Sequence, residues 1–383
     1  MTIAAKINHI KNNGEIKIMK LKAAVFTEPK KPFEVREFEI TKPDKGFALI
    51  KMHASGICGT DIHIYEGKLA LPFSPMVIGH EFVGEICDID PQDSAGSGFQ
   101  RGDRVIVSVA KPCHECYLCE MGESATCQNL GVTYFHELDA PPYVFGGYAD
   151  HTYAPLGNII KIPDGVPSKT IAVFACAGPT VINAVRCCGG LDLKNVNTLV
   201  VQGLGPIGLF SVLYAKANGV KNIAVVSTGK NQKRTELAKS FGADYFISTA
   251  ETPREERLKK VTEITGGIGA DCVIEASGNP DTFNEGMEML RNRGVYLVPG
   301  LYSDRGEIKI KPHMITFKAL QIIGSAQYSA DDLKKYVEFV KNNGGYWGLI
   351  DSVCTHEWHI GEINEAVAIC VRGESVKAIF VNG

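Results

Sequence analysis

Hydrophobic and polar positions follow two different rhythms along these 383 residues. Up to about residue 175 the apolar positions come as short runs broken by Gly and Pro: KAAVF, FALIKMHA, VIGHEFVGEI and DRVIVSV. Such runs predict strands, and together they predict an antiparallel, barrel-like domain with irregular loops. Near Pro179 the rhythm changes. NTLVVQGLGPIGLFSVLYAKANG predicts strand, turn and helix, and NIAVVS a second strand. A helical KRTELAKSFGAD, the strand DYFIS, a Glu/Lys-rich helix and the strand DCVIEAS follow. The helix TFNEGMEMLRNRG then leads to the strand VYLVPG. Strands alternating with helices of this length make a parallel, doubly wound sheet. The last ~60 residues hold one clear helix, SADDLKKYVEFVKNNGG, and a closing strand, KAIFVN; too few to fold alone, they are expected to return to the first domain. The predicted division is residues 19–178, 179–323 and a returning 324–383.

Composition narrows the classes. With 45 % hydrophobic and 22 % charged residues the chain reads as an ordinary soluble protein. A net charge of −3 offers no electrostatic footprint for nucleic acid or an anionic membrane. No apolar run is long enough to span a bilayer, and the N-terminus lacks the features of a secretory signal. Residues 1–18 are polar and predict a loose extension, with Met19 an alternative start. Twelve cysteines without an export signal point to the cytosol, reduced thiols and metal binding rather than disulfides.

Four of those cysteines, Cys113, Cys116, Cys119 and Cys127, have the spacing C-x2-C-x2-C-x7-C in a lobe at 110–130. Thiolates that close, with loop residues between them, can wrap one tetrahedral zinc ion. A different donor set lies outside the lobe: Cys58 in SGICGTD, His80 and Glu81 in VIGHE, and Cys176 in FACAGPT. Cys, His and Cys leave a fourth position open, as catalytic zinc requires, although each residue alone reads equally well as packing. Cys87, Cys187, Cys188, Cys272, Cys354 and Cys370 have no ligand spacing and are expected to be buried packing.

The turn GLGPIG, comprising Gly203, Leu204, Gly205, Pro206, Ile207 and Gly208, follows an apolar strand and opens an apolar helix, the context a dinucleotide fingerprint needs. NAD sites place an acid on the ribose at the end of the next strand. Here that strand ends at Ser227, and Thr228, Lys230, Lys233 and Arg234 come before the first acid, Glu236. Hydroxyls and cations suit a 2′-phosphate, so NADP is favoured over NAD.

Together these residues resemble the zinc-dependent alcohol dehydrogenases of the medium-chain dehydrogenase/reductase family. G-x-C-x-T-D, G-H-E, the four-cysteine lobe, C-x-x-x-T and GLGPIG occur in the family's order, over residues 20–383. The resemblance implies an α/β protein, a GroES-like catalytic domain joined to a Rossmann cofactor domain. It implies about two zinc ions per chain. Catalytic zinc would sit on Cys58, His80 and Cys176 with Glu81 as an outer or exchangeable ligand, and structural zinc on the lobe. Asp61 would orient His80. Zinc would act as a Lewis acid on an alcohol, Thr60 would accept its proton and His63 would pass it to water. Thr180 and Gly300 match positions lining the nicotinamide, and Lys377 matches a basic residue near the phosphates. Gly59 departs from the pattern, standing where relatives often carry a basic residue or His. The implied reaction is reversible oxidation of a primary or secondary alcohol by NAD(P). A polyol, sugar-alcohol or amino-alcohol dehydrogenase is the alternative within the family, and a non-catalytic nucleotide-binding or structural protein the alternative outside it. The partners implied are a small-molecule alcohol or carbonyl and further copies of the chain, as a homodimer or homotetramer.

Overall fold

A computed structural model of the chain describes the backbone of residues 10–12 and 15–17, and residues 19–189, 191–301 and 303–382 in full. Two compact units result. One comprises Met1–Cys176, Val340–Asn342 and Cys354–Gly383, and the other Ala177–Phe339 and Asn343–Val353.

In the first unit the strand Phe47–Gly56 is central. It pairs antiparallel with Glu81–Ile89, with His151–Pro155 and with Lys377–Val381 from the far end of the chain. The resulting seven-stranded sheet is completed by Arg104–Val107, Ile159–Lys161 and Cys354–Trp358. Alternate residues of these strands, among them Ile50, Met52, Phe82, Ile86, Val105 and Val107, make one buried cluster. This is the period-2 pattern of a sheet with one face inside. A three-stranded sheet built on Lys20–Phe26 accompanies it. The run VIGHEFVGEI is not one strand. It breaks into Met76–Val77 and Glu81–Ile89, with Gly79 at φ 97° in the break, and that break carries His80.

The second unit is a six-stranded sheet, parallel throughout. Its strands run in the order Tyr245–Ser248, Asn222–Ser227, Thr198–Gln202, Ala270–Glu275, Leu290–Val298 and Gln321–Gly324. The strand order reverses beside Thr198–Gln202, the first of these in the chain, and ligands of doubly wound sheets bind at such a switch point. Val200, Ala224, Ile247 and Val273 are buried in the core of this sheet.

Three expectations differ from the structure. The helix predicted over TFNEGMEMLRNRG ends at Met289; Leu290 already belongs to a strand, paired with Ala270, and Arg291 Nε donates to Asp271 at 2.6 Å. The return to the first unit is later than 324. Most of the helix Ala330–Asn342 stays with the second unit because Tyr336 and Phe339 pack on Phe210 of the helix Pro206–Ala217, ring centroids 5.7 and 5.5 Å apart. Within the polar N-terminal stretch, Ile10–Asn12 and Glu15–Lys17 pair as antiparallel strands. The rest of the expectation for residues 1–18 lies outside the described residues.

Candidate metal and dinucleotide sites

Cys58 lies two residues beyond the strand Phe47–Gly56 and caps the helix Gly59–Tyr65. The helix start is locked by Asp61, whose Oδ2 accepts the Cys58 backbone N–H at 2.9 Å and the Tyr148 hydroxyl at 2.8 Å. The other oxygen of Asp61 lies 3.3 Å from His80 Nδ1, and both side chains are buried. One buried carboxylate therefore positions two candidate ligands, the cysteine through its backbone and the histidine through its ring. Cys176 follows the fully buried Ile171–Ala175 run.

Ligand atoms of Cys58, His80, Glu81 and Cys176 all lie within 4.8 Å of one another. The electrostatics suit a cation. A hydrogen bond from the Cys176 thiol holds Cys58 well below the usual thiol range against its burial, and Cys176 is raised in return. Burial opposes charge on His80, yet Asp61 and the Cys58 thiolate raise it well above an ordinary histidine. Two soft sulfurs, an imidazole and a carboxylate converging without a metal would be costly, and they match the donors that zinc takes. Thr60 Oγ1 lies 3.7 Å from Cys58 Sγ, and His63 is one turn further along the same helix.

Lys377, matched above to a basic residue near the phosphates, is engaged with Glu81 in this structure. Its side chain is 1 % exposed and donates to the equally buried Glu81 carboxylate and, at 3.2 Å, to the Ile57 carbonyl. The register explains this placement: Ile379 pairs with Gly56, which also pairs with Glu81, so Lys377 reaches Glu81 across the backbone of a glycine. A Cβ at Gly56 would come within 2.5 Å of Glu81 Oε2 and 2.8 Å of Lys377 Cε. Tyr134 is a site neighbour that the sequence did not single out. It is buried, its ring stacks 6.2 Å from His80, and Phe135 and Phe73 continue the aromatic run outward.

The four-cysteine lobe is built differently. Cys127 Sγ lies 3.4 Å from Cys113 Sγ and 3.8 Å from Cys116 Sγ. Four thiolates each about 2.3 Å from one zinc stand ~3.8 Å apart, so this spacing fits a tetrahedron, and it is far beyond a disulfide bond. Backbone N–H groups of Cys113 and Asn129 point at Cys127 Sγ, both at 3.3 Å. Those of Cys119 and Gln128 hold the Cys116 thiol down at about 6. Of the six cysteines expected as buried packing, only Cys272 is fully buried; the other five are partly exposed.

In the second unit each fingerprint glycine has its own reason. Gly203 has φ 94°, and a Cβ there would strike Ser277 Cα at 2.7 Å; one at Gly208 would strike Gly203 O at 2.0 Å. Gly205 caps the helix Pro206–Ala217, and a Cβ on it would meet nothing. That open approach to a helix N-terminus is where a pyrophosphate fits. Leu204 is buried, and Pro206 and Ile207 start the helix. After Ser227 the chain turns at Gly229, φ 70°, and Asn231 caps the helix Gln232–Ser240. Thr228, Lys230 and Lys233 are exposed around that turn. Thr180 is buried in the helix Ala177–Arg186, and Gly300 follows the strand Leu290–Val298.

Sheet order and donor set together fit a dinucleotide-dependent metal dehydrogenase, and comparison with known proteins supplies the family. Residues 44–164 match the alcohol dehydrogenase GroES-like domain, and residues 206–342 match the zinc-binding dehydrogenase family. The chain is 32 % identical over 364 residues to 5-exo-hydroxycamphor dehydrogenase of Pseudomonas putida, covering 94 % of this chain and 98 % of that one. It is 31 % identical over 366 residues to L-threonine 3-dehydrogenase of Pyrococcus horikoshii, covering 94 % and 99 %. The solved structure of an alcohol dehydrogenase from Thermotoga maritima superposes with a TM-score of 0.86 at 28 % identity, covering 95 % and 99 %. The chain belongs to the zinc-dependent medium-chain dehydrogenase/reductase family and is an oxidoreductase. Among the described residues, no helix is long and apolar enough to cross a membrane.

Proposed function

We propose that this protein is a zinc-dependent alcohol dehydrogenase that interconverts a secondary or primary alcohol and its carbonyl, with NADP preferred to NAD. The observation that carries the reading is the convergence of Cys58, His80, Glu81 and Cys176 within 4.8 Å. Cys58, His80 and Cys176 would hold the catalytic zinc, and the Cys113–Cys127 lobe a structural one. Zinc at the first site supplies Lewis acidity, lowering the pKa of an alcohol oxygen, and the nicotinamide supplies the hydride acceptor. The chain's own part is to orient and to move a proton. Asp61 holds His80, Lys377 holds Glu81, the Thr60 hydroxyl accepts the substrate proton and His63 relays it to water. The exposed Lys230 and Lys233, with the Ser227 and Thr228 hydroxyls and no acid among them, favour a 2′-phosphate.

The aromatic run Tyr134, Phe135 and Phe73, starting against His80, suits an alcohol with an apolar body. An amino alcohol is the second reading. A cavity of 480 Å³ beside Phe73 and Phe135 is also lined by Asp44, Glu137 and Asp139, which would attract an ammonium group. One experiment tests both: kcat/KM for cyclic secondary alcohols, linear primary alcohols, sorbitol and threonine, each with NADP and NAD. Higher kcat/KM for cyclic alcohols with NADP is expected. A preference for NAD would refute the basic-loop argument, and one for threonine would select the second reading. No turnover of any of these alcohols by zinc-loaded protein would refute the alcohol dehydrogenase reading proposed here.

A further inference from the structure

A buried acid outside both metal clusters has no part in the chemistry above. Glu275 ends the strand Ala270–Glu275 at the carboxyl edge of the parallel sheet and is 0 % exposed. No basic side chain pairs with it among the described residues. Its Oε1 instead accepts the backbone N–H groups of Ser277 at 2.8 Å and Gly278 at 3.0 Å, together with the Ser277 hydroxyl. Its Oε2 has no partner and faces Gly300, where a Cβ would come within 2.5 Å of it. The Gly300 N–H donates to the Glu275 carbonyl at 3.1 Å. The Ala276 N–H donates to the Gln202 carbonyl at 2.8 Å, and Gly203 is packed against Ser277 and Ala276. The carboxyl group thus holds the 277–278 backbone directly and faces Gly300, while the 203 loop packs on the turn it holds. These segments lie on the edge where a doubly wound sheet receives its dinucleotide.

An acid in this position is expensive to keep. Burial pushes the Glu275 carboxyl up, and the bonds from Ser277 and Gly278 only partly offset that. An apolar side chain of similar volume would avoid the desolvation cost but would leave two backbone N–H groups without an acceptor.

We propose that Glu275 is a positioning residue for the cofactor: its carboxyl group pins the 276–278 turn and the approach to Gly300, and through them the seat of the fingerprint turn. The inference rests on the reading that a nicotinamide dinucleotide binds at Gly203–Gly208. Glu275 is sealed from solvent and acts only through these backbones.

The test is binding of NADPH and NADH to zinc-loaded full-length protein, followed by nucleotide fluorescence, with melting temperature measured alongside. Glu275→Ala should raise the cofactor Kd roughly 10- to 100-fold, through loss of the acceptor for two N–H groups. Glu275→Gln keeps an acceptor oxygen in place and should stay within about 5-fold of wild type. Glu275→Asp keeps the charge but retracts the oxygens by one methylene, and should weaken binding about 10-fold. This variant also decides the question if the alanine protein does not fold. Wild-type affinity in Glu275→Asp, or equal weakening in the Gln and Ala variants, would overturn the assignment. Wild-type protein that binds neither nucleotide would overturn the cofactor reading itself, and this inference with it.

Discussion

The two metal-ligand clusters contrast in how their residues are brought together. The lobe takes all four sulfurs from one 15-residue stretch, Cys113–Cys127, and backbone N–H groups of the same loop point at them. The other cluster gathers Cys58, His80, Glu81 and Cys176 from a helix cap, a strand break and the end of a buried run. A local cluster orders the chain that carries it, and metal binding there contributes directly to folding free energy. A dispersed cluster is ordered by the fold, through Asp61, Tyr148 and Lys377, and can leave a coordination position for substrate. The same element would thus do different work in the two places.

Mutations can break or sharpen that contrast. The largest effect is expected for Cys58→Ser or His80→Ala: turnover should fall by roughly 10³-fold or more, since Lewis acidity supplies several kcal/mol. Melting temperature should change little, and cooperative unfolding of either variant well below wild type would collapse the distinction. Cys116→Ser should do the reverse, lowering the melting temperature by roughly 10 °C while zinc stays at the dispersed site. A variant as thermostable as wild type would sink the structural assignment of the lobe. The smallest effect is expected for Asp61→Asn. Loss of its charge beside His80 should weaken metal retention at that site by about 10- to 100-fold in competition with a chelator, leaving the lobe's metal unaffected.

Legibility in the sequence follows the same contrast. Interactions close along the chain left spacing that could be read: the lobe cysteines, the Gly203–Gly205–Gly208 turn and the Cys58–Thr60–Asp61 segment. The alternating strands and helices of the second unit were equally plain, because each strand and helix carries its own period. Interactions made by strand register left no such trace. Nothing local marks Lys377 as the partner of Glu81 until Lys377–Val381 is placed beside Gly56, or Tyr134 as a neighbour of His80 until its ring stacks there. Nothing local in the sequence says that the Glu275 carboxyl group is closed in by Gly300. The late return at Cys354 was hidden for a related reason. The apolar face of the helix Ala330–Asn342 fits either unit, and only the aromatic packing on Phe210 selects one.

Lys377 also bears on whether Glu81 can act as a ligand at all. Burial pushes the Glu81 carboxyl up to about 8, and the Lys377 ammonium against it opposes that shift. A buried acid without such a counter-charge takes up a proton, and a protonated carboxyl group is a poor donor to a cation. The strand pairing that brings residue 377 beside residue 81 therefore tunes the acid's availability as well as its position.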